Sequence, residues 1–289
     1  MGLFDTLFKK KVPKTDIKKR FELIGRVGQG SMSKVWRAKD RMTGRVVALK
    51  VLDREQTKKF EARFQGVKKP KEGEIAVQLD HPGIVKTYEH GVTTDDLQYL
   101  AMEFVEGYPL SFYVDTQNAV MKANRLRFMI ELGDAVAYLH EKNFIHRDIC
   151  PRNVIVTEDL HVKLIDFGLV VPNTPEFRKP GNRTGTANYM APELIRRQPT
   201  DQRIDVFSYG VTCYEMCTKH LPWESAKSLE AIMQHLNSPP ADIRQYAPGL
   251  DEGIASTIMR GIAVDRTERW QSAREMTNAF RAVQARLEP

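Results

Sequence analysis

Cysteine is scarce in this chain of 289 residues, which carries three in all. Cys213 and Cys217 stand at helical i,i+4 spacing in an apolar segment and Cys150 stands alone. No disulfide framework is expected from that pattern, and a reducing compartment fits it. Long hydrophobic runs are missing too: no stretch approaches eighteen consecutive apolar residues, and no basic n-region with a long apolar run opens the sequence. Neither a spanning helix nor a secretory signal is therefore expected. The chain reads as intracellular and cytoplasmic. Internal repeats and low-complexity tracts are also lacking, while 42% apolar and 28% charged residues are ordinary for a globular protein with a sizeable core.

Acidic residues are few only at one end. The formal net charge is +7, and most of it comes from Lys9, Lys10, Lys11, Lys14, Lys18, Lys19 and Arg20, set against Asp5 and Asp16. The body that follows is close to neutral, so nucleic acid is not the expected partner. Within residues 1–11, Leu3, Phe4, Leu7 and Phe8 fall on one helical face ahead of three lysines. This pattern suits peripheral contact with an anionic membrane, and Gly2 with Thr6 matches the short N-myristoylation pattern. Docking of the same stripe on the protein body is the alternative.

From Phe21 to about Phe104 the pattern is strand-like, with β-branched runs such as "VVALKVL" and "IVKTYEHG" broken by glycines and "DHPG". From about Lys122 onward it is helical, as in "RLRFMIELGDAVAYLH" and "LDEGIASTIMRGIA". A small β-rich lobe thus precedes a larger helical one, an α+β arrangement. In "GRVGQGSMSKVW", Gly28 and Gly30 lie between strand-like flanks with Ser33 where a third glycine would stand. A strand rather than a helix follows, so this is no dinucleotide fingerprint. A tight turn and a hairpin folded over phosphates both fit.

Lys50 ends the alternating strand "VVALK", and Glu72 and Glu74 in "PKEGEIAVQLDHPGIV" are both candidates to orient it. "IHRDICPRNVIV" and "KLIDFGLV" place Asp148, Asn153 and Asp166 in short polar breaks between β-branched runs. Together these can supply a base and two oxygen ligands for a hard divalent cation.

The ordered set "GQGSMSKV", "VALK", "HRDICPRN", "DFG" and "APE" resembles the protein kinases of the eukaryotic-like (Hanks) Ser/Thr type, from about Phe21 to Arg286. That resemblance implies a bilobal fold, with a tail at 1–20, an N-lobe at 21–105 containing one regulatory helix, and a C-lobe at 106–286. It implies transfer of the γ-phosphoryl of ATP, with Mg2+ or Mn2+, to Ser/Thr hydroxyls of protein substrates; a pseudokinase scaffold is the other reading. Val27, Gly28, Gly30 and Val35 would cover the nucleotide, and Lys50 would hold its phosphates. Glu72 is preferred as partner of Lys50 because it stands nine residues before "HP", whereas Glu74 lies about 200° away round the same helix. Asp148 would be the base, with Asn153 and Asp166 the metal ligands. Met102 would guard the back of the adenine pocket, the backbone of Glu103 and Val105 would meet the base, and Ala48 and Ile155 would be ceiling and floor. Asp205 would hold the catalytic-loop backbone, and Glu193 would pair with Arg269.

Three positions depart from the pattern: Ser33, the helix of Glu72 with its Pro70 and Gly73, and Cys150. Pro70 is expected at the first helical position. Cys150 stands where Ser/Thr kinases usually carry lysine, and Arg152 is the expected replacement for that cation. "GTANYMAPE" resembles a Ser/Thr peptide-binding loop, with Thr186 reaching the base. The Cys150 thiol is expected to be accessible to alkylating agents. Thr184, then Thr174, are the candidate phosphorylation sites of the segment from Asp166 to Glu193, with Arg147, Arg178, Lys179 and Arg183 as partner cations.

Overall fold

The computed structural model describes residues 13–29, 33–64, 66–181, 183–223 and 238–288. Strand alternation builds the first lobe. A six-stranded sheet runs β1 (Lys14–Thr15), β5 (Thr87–Thr93), β6 (Gln98–Glu103), β4 (Val46–Leu52), β3 (Ser33–Asp40), β2 (Phe21–Gln29) from edge to edge. Because side chains alternate across a strand, Val47 and Leu49 of β4 join Phe21, Ala38, Tyr99 and Ala101 in a small core on one face. Cross-strand neighbours on the opposite face, Val35 with Lys50 and Ala48 with Met102, look toward the second lobe. Residues 14–20 do not behave as part of a separate tail. β1 pairs in parallel with β5, followed by one turn of helix α1 (Ile17–Arg20). Arg20 then meets Glu89 at 2.7 Å and Asp40 at 3.0–3.2 Å, so the chain is tied to the sheet from Lys14 onward. A two-residue strand has too little periodicity to be read from sequence.

Two short helices follow β4. Helix α2 (Arg54–Glu61) is capped by the Asp53 side chain on Gln56 N–H, and α3 (Glu72–Ala76) has five residues. Pro70 sits outside α3, ahead of the cap at Lys71, whose N–H is bonded by Glu74.

The second lobe is helical. Strand β7 (Gly107–Pro109) leads into α4 (Leu110–Thr116), and α5 (Ala119–Glu141) starts where the Asn118 side chain accepts from Met121 N–H. Short strands follow: β8 (Phe144–Ile145) pairs with β11 (Val171–Pro172), and β9 (Val154–Thr157) pairs with β7 and with β10 (Val162–Leu164), Ile155 of β9 lining the cleft. Helix α6 (Pro192–Ile195) precedes α7 (Arg203–Thr218), which is apolar and buried on nearly all sides. Two helices, Glu252–Gly261 and Ala273–Leu287, close the lobe around it. Among the described residues no helix is long and apolar enough to cross a membrane.

One buried ion pair fixes α6 to the segment between the last two helices. The Arg269 guanidinium, fully enclosed, grips both oxygens of Glu193 at 2.7 and 2.8 Å and also donates to the carbonyls of Ala263, Val264 and Arg203. Such a bidentate pair repays the cost of burying charge only while both partners are present. Glu193→Ala is therefore expected to lower folding stability by about 3–5 kcal/mol in urea denaturation, because it strands a buried cation.

Candidate active site

The site lies between the lobes, and its back wall is a shared cation. Lys50 Nζ sits 2.6 Å from Glu72 and 2.8 Å from Asp166 and is 5% exposed. Burial pushes the ammonium toward neutrality, but the Asp166 and Glu72 carboxylates more than offset this and hold its pKa above the ordinary lysine range. Asp166 titrates below the usual carboxylate range, since Lys50 and the Gly168 N–H outweigh its own desolvation. Helical geometry turns Glu72 inward and leaves Glu74 exposed.

The loop from His146 to Asn153 is held from below. Asp205, at the start of α7 and fully buried, accepts from the backbone N–H groups of His146 (2.6 Å) and Arg147 (2.8 Å) and pairs with His140 Nε2 (3.0 Å). Arg147 has φ +72°, and these bonds keep it in that left-handed conformation. His140 carried no signal as a supporting residue, because it reads as one polar position in an apolar helix.

Asp148 is fixed by three hydrogen bonds. Its Oδ1 accepts from Thr186 N–H (2.8 Å) and Thr186 Oγ1 (2.7 Å), and its Oδ2 from Asn153 Nδ2 (2.9 Å). An ionised carboxylate has about four acceptor positions, so room for one more donor is left. Asn153 also gives its amide N–H to the Asp148 carbonyl at 2.8 Å, which leaves its amide oxygen uncommitted. Gly185 is required next to this loop: its φ is +128°, and a Cβ there would lie 2.5 Å from the Arg147 carbonyl oxygen.

Beside these polar groups lies a cavity of about 520 Å³. Val27, Gly28, Val35, Ala48, Lys50, Met102, Glu103, Val105, Arg152, Asn153, Ile155 and Asp166 all line it. Gly30 lies outside the described residues, as do residues 1–12. Val85 and Ile165 also line the cavity and were not foreseen, because isolated apolar residues in strand-like runs read simply as core. Among the described residues the Val105 N–H makes no hydrogen bond, whereas that of Glu103 is bonded to Lys86 O at 2.8 Å. A second cavity of about 350 Å³ adjoins Asp148, Asp166 and Glu72. Its other walls include Gln56, Lys59 and Arg63 from α2 and the turn after it, together with Arg183 and Thr184. Nothing in the sequence placed α2 over the cleft.

Two expectations are altered here. Cys150 is not accessible: it is 1% exposed, with Sγ 3.8 Å from Thr186 Oγ1, because residues 184–189 fold across it. Burial, reinforced by the Asp148 charge, pushes the thiol up to about 11. Thr184 is likewise buried, its hydroxyl facing inward without a partner among the described residues, so a phosphate there requires the segment to move first. Of the expected partner cations, Arg178 is already engaged by Asn173 at 2.9 Å. Arg152 is exposed at the cavity rim.

The donor set suits a hard divalent ion. Asp166, its side chain 44% exposed to the cleft, and the Asn153 amide oxygen offer two oxygens. Mg2+ typically takes one or two protein oxygens, keeps several waters and binds substrate phosphates, which fits so small a set.

Comparison with known proteins agrees with this geometry. The protein kinase domain model matches residues 21–279. The chain is 27% identical over 260 residues to the serine/threonine-protein kinase PrkC of Bacillus subtilis, covering 89% of this chain and 39% of that protein. It is 30% identical over 264 residues to the serine/threonine-protein kinase PknB of Mycobacterium leprae, covering 89% and 42%. It thus spans about two fifths of the length of these curated relatives. Members of this family use ATP and a divalent metal and act on proteins. With the family model matched over most of its length and a bilobal cleft of this geometry, the chain belongs to the protein kinase domain family.

Proposed function

We propose that this protein is an active serine/threonine kinase that transfers the γ-phosphoryl group of Mg-ATP to protein hydroxyls. The observation that carries this reading is the convergence in one cleft of Asp148, Asn153, Asp166 and the Lys50–Glu72 pair, beside an apolar cavity large enough for a base. The domain proper is read as 21–286, with the sheet-bound segment 14–20 as its leader.

Each residue then has a physical task. Ala48 and Ile155 enclose the adenine, the free Val105 N–H meets its edge, and Met102 closes the back. Val27, Gly28 and Val35 cover the nucleotide from β2 and β3, with Gly30 expected at the turn. Lys50 holds the α- and β-phosphates. Asn153 and Asp166 would hold Mg2+, which neutralises phosphate charge when bound. Asp148 accepts the proton of the substrate hydroxyl in the position that Thr186 and Asn153 give it. The transition state is loose, so positioning and charge stabilisation supply most of the rate. Cys150 brings no charge to the γ-phosphate, and Arg152 at the rim is the cation that does.

Residues 1–11 would add peripheral contact with anionic membrane through Leu3, Phe4, Leu7 and Phe8 and the three lysines that follow. Flotation with anionic vesicles should carry the intact chain upward and lose a chain lacking residues 1–11; equal flotation of both would remove this part.

Asp148→Asn should lower turnover by about a hundredfold or more and leave nucleotide affinity near its original value. Asp166→Ala should weaken Mg-ATP binding itself, as measured by calorimetry. Arg152→Ala should reduce kcat more than Cys150→Ala does. At pH 8 a thiol with a pKa of about 11 is only about one part in a thousand thiolate. Native protein should therefore leave Cys150 unlabelled by iodoacetamide, whereas urea-unfolded protein labels it, as read by peptide mass spectrometry.

A further inference from the structure

We propose that Phe64 and Phe177 are positioning residues for Glu72, forming an aromatic bridge from the activation segment, Asp166 to Glu193, to the chain that leads into α3. This rests on the reading of Lys50 and Glu72 as the phosphate-holding pair.

The need for such a bridge follows from the size of α3. Five residues make too few helical hydrogen bonds to persist alone, since nucleation is costly and short helices are stabilised by what they pack against. One side is provided by the sheet. Gly73 lies so close to His90 of β5 that a Cβ on it would stand 2.4 Å from the His90 Cβ. The sheet thus limits how far α3 can move outward, and on the cleft side the Lys50–Glu72 pair and the buried Ile75 and Ala76 hold it only as long as the chain leading into it is in place.

The other side is aromatic. Phe60 and Phe64 meet edge-on with centroids 5.3 Å apart, and Phe64 meets Phe177 at 5.5 Å. All three rings are buried. Phe60 and Glu72 line the same cavity, and the Lys69 ammonium, next to the start of α3, stands 5.2 Å from the Phe60 ring. A continuous row of contacts therefore runs from residue 177 to the chain immediately before Glu72.

The far end of the row is seated on the catalytic loop. The Phe177 carbonyl accepts from Arg147 Nη2 at 3.2 Å, and the Arg147 guanidinium carbon is 5.8 Å from the Phe64 ring. Arg147 is 3% exposed, yet its Nε and Nη1 have no hydrogen-bond partner among the described residues. Burial lowers its pKa to about 10, so the arrangement is unfavourable for the arginine taken alone. A core built for stability alone would not bury a cation this way. The arrangement makes sense where the aromatic rings must close over residue 147, next to Asp148, and so link the base loop, the activation segment and Glu72.

The test uses the full chain in four forms: wild type, Phe64→Ala, Phe177→Ala and Phe177→Leu. Hydrogen exchange is followed at residues 71–79, with the helix Ala273–Leu287 as internal reference, and kcat and KM for ATP are measured in parallel. Phe177→Ala should speed exchange at residues 71–79 about tenfold while the reference helix keeps its protection, the size expected from losing one aromatic contact. Phe64→Ala should do the same, and kcat should fall by a similar factor in both. Phe177→Leu, which keeps most of the buried bulk, should recover most of the protection and the rate. Wild-type exchange at residues 71–79 in both alanine variants overturns the bridge, and so does an equal rise across the entire chain. The exchange arm does not depend on phosphoryl transfer. An inactive wild type whose residues 71–79 still respond to Phe177→Ala would overturn the kinase reading while upholding the bridge.

Discussion

The rest of the structure depends on one buried ammonium group. Lys50 reaches the cleft from β4, Glu72 from α3 and Asp166 from the loop after β10, and the two carboxylates keep the buried cation charged where these segments meet. Two acids on one lysine leave the trio with a formal negative charge, which suits a site whose ligands are a divalent cation and the phosphates it accompanies. The same constraint explains why β4 alternates as it does. Ala48 and Lys50 share one face, so the strand that lines the apolar cavity also delivers the cation.

The helical lobe answers with buried charges of its own. Asp205 receives the N–H groups of His146 and Arg147 and so fixes the loop that carries Asp148. Arg269 receives Glu193 and so fixes the end of the segment that carries Thr186. Thr186 then bonds Asp148 directly, so two separately anchored strands of chain converge on one carboxylate. The position of the Asp148 carboxylate comes from this double anchoring, with α7, buried on nearly all sides, beneath both.

Much of this was legible in the sequence because the polar positions are local. "HRDICPRN" and "DFG" mark their residues by type and spacing, and the family spacing before "HP" picks Glu72, while helical periodicity puts Glu74 on another face. What could not be read depends on contacts between distant segments. Cys150 is buried because residues 184–189 fold over it, which its own neighbours do not announce. Phe60 and Phe64 read as routine apolar positions in a charged segment, and only the fold shows them against Phe177. β1 is too short for a period, and the close approach of Gly73 to His90 is a contact between distant segments that the sequence does not mark.

On the function proposed above, the Lys50–Glu72 pair organises the phosphoryl-transfer site. The most direct measurement is transfer of label from γ-labelled ATP, with magnesium, to a generic protein substrate, by wild type and by Glu72→Gln. The labelled product is then hydrolysed and its phosphoamino acids identified. The expected result is phosphoserine and phosphothreonine from the wild type and a rate at least about tenfold lower from Glu72→Gln, since Lys50 would keep only Asp166. Equal rates from the two proteins, or no labelled product from the wild type, would contradict it.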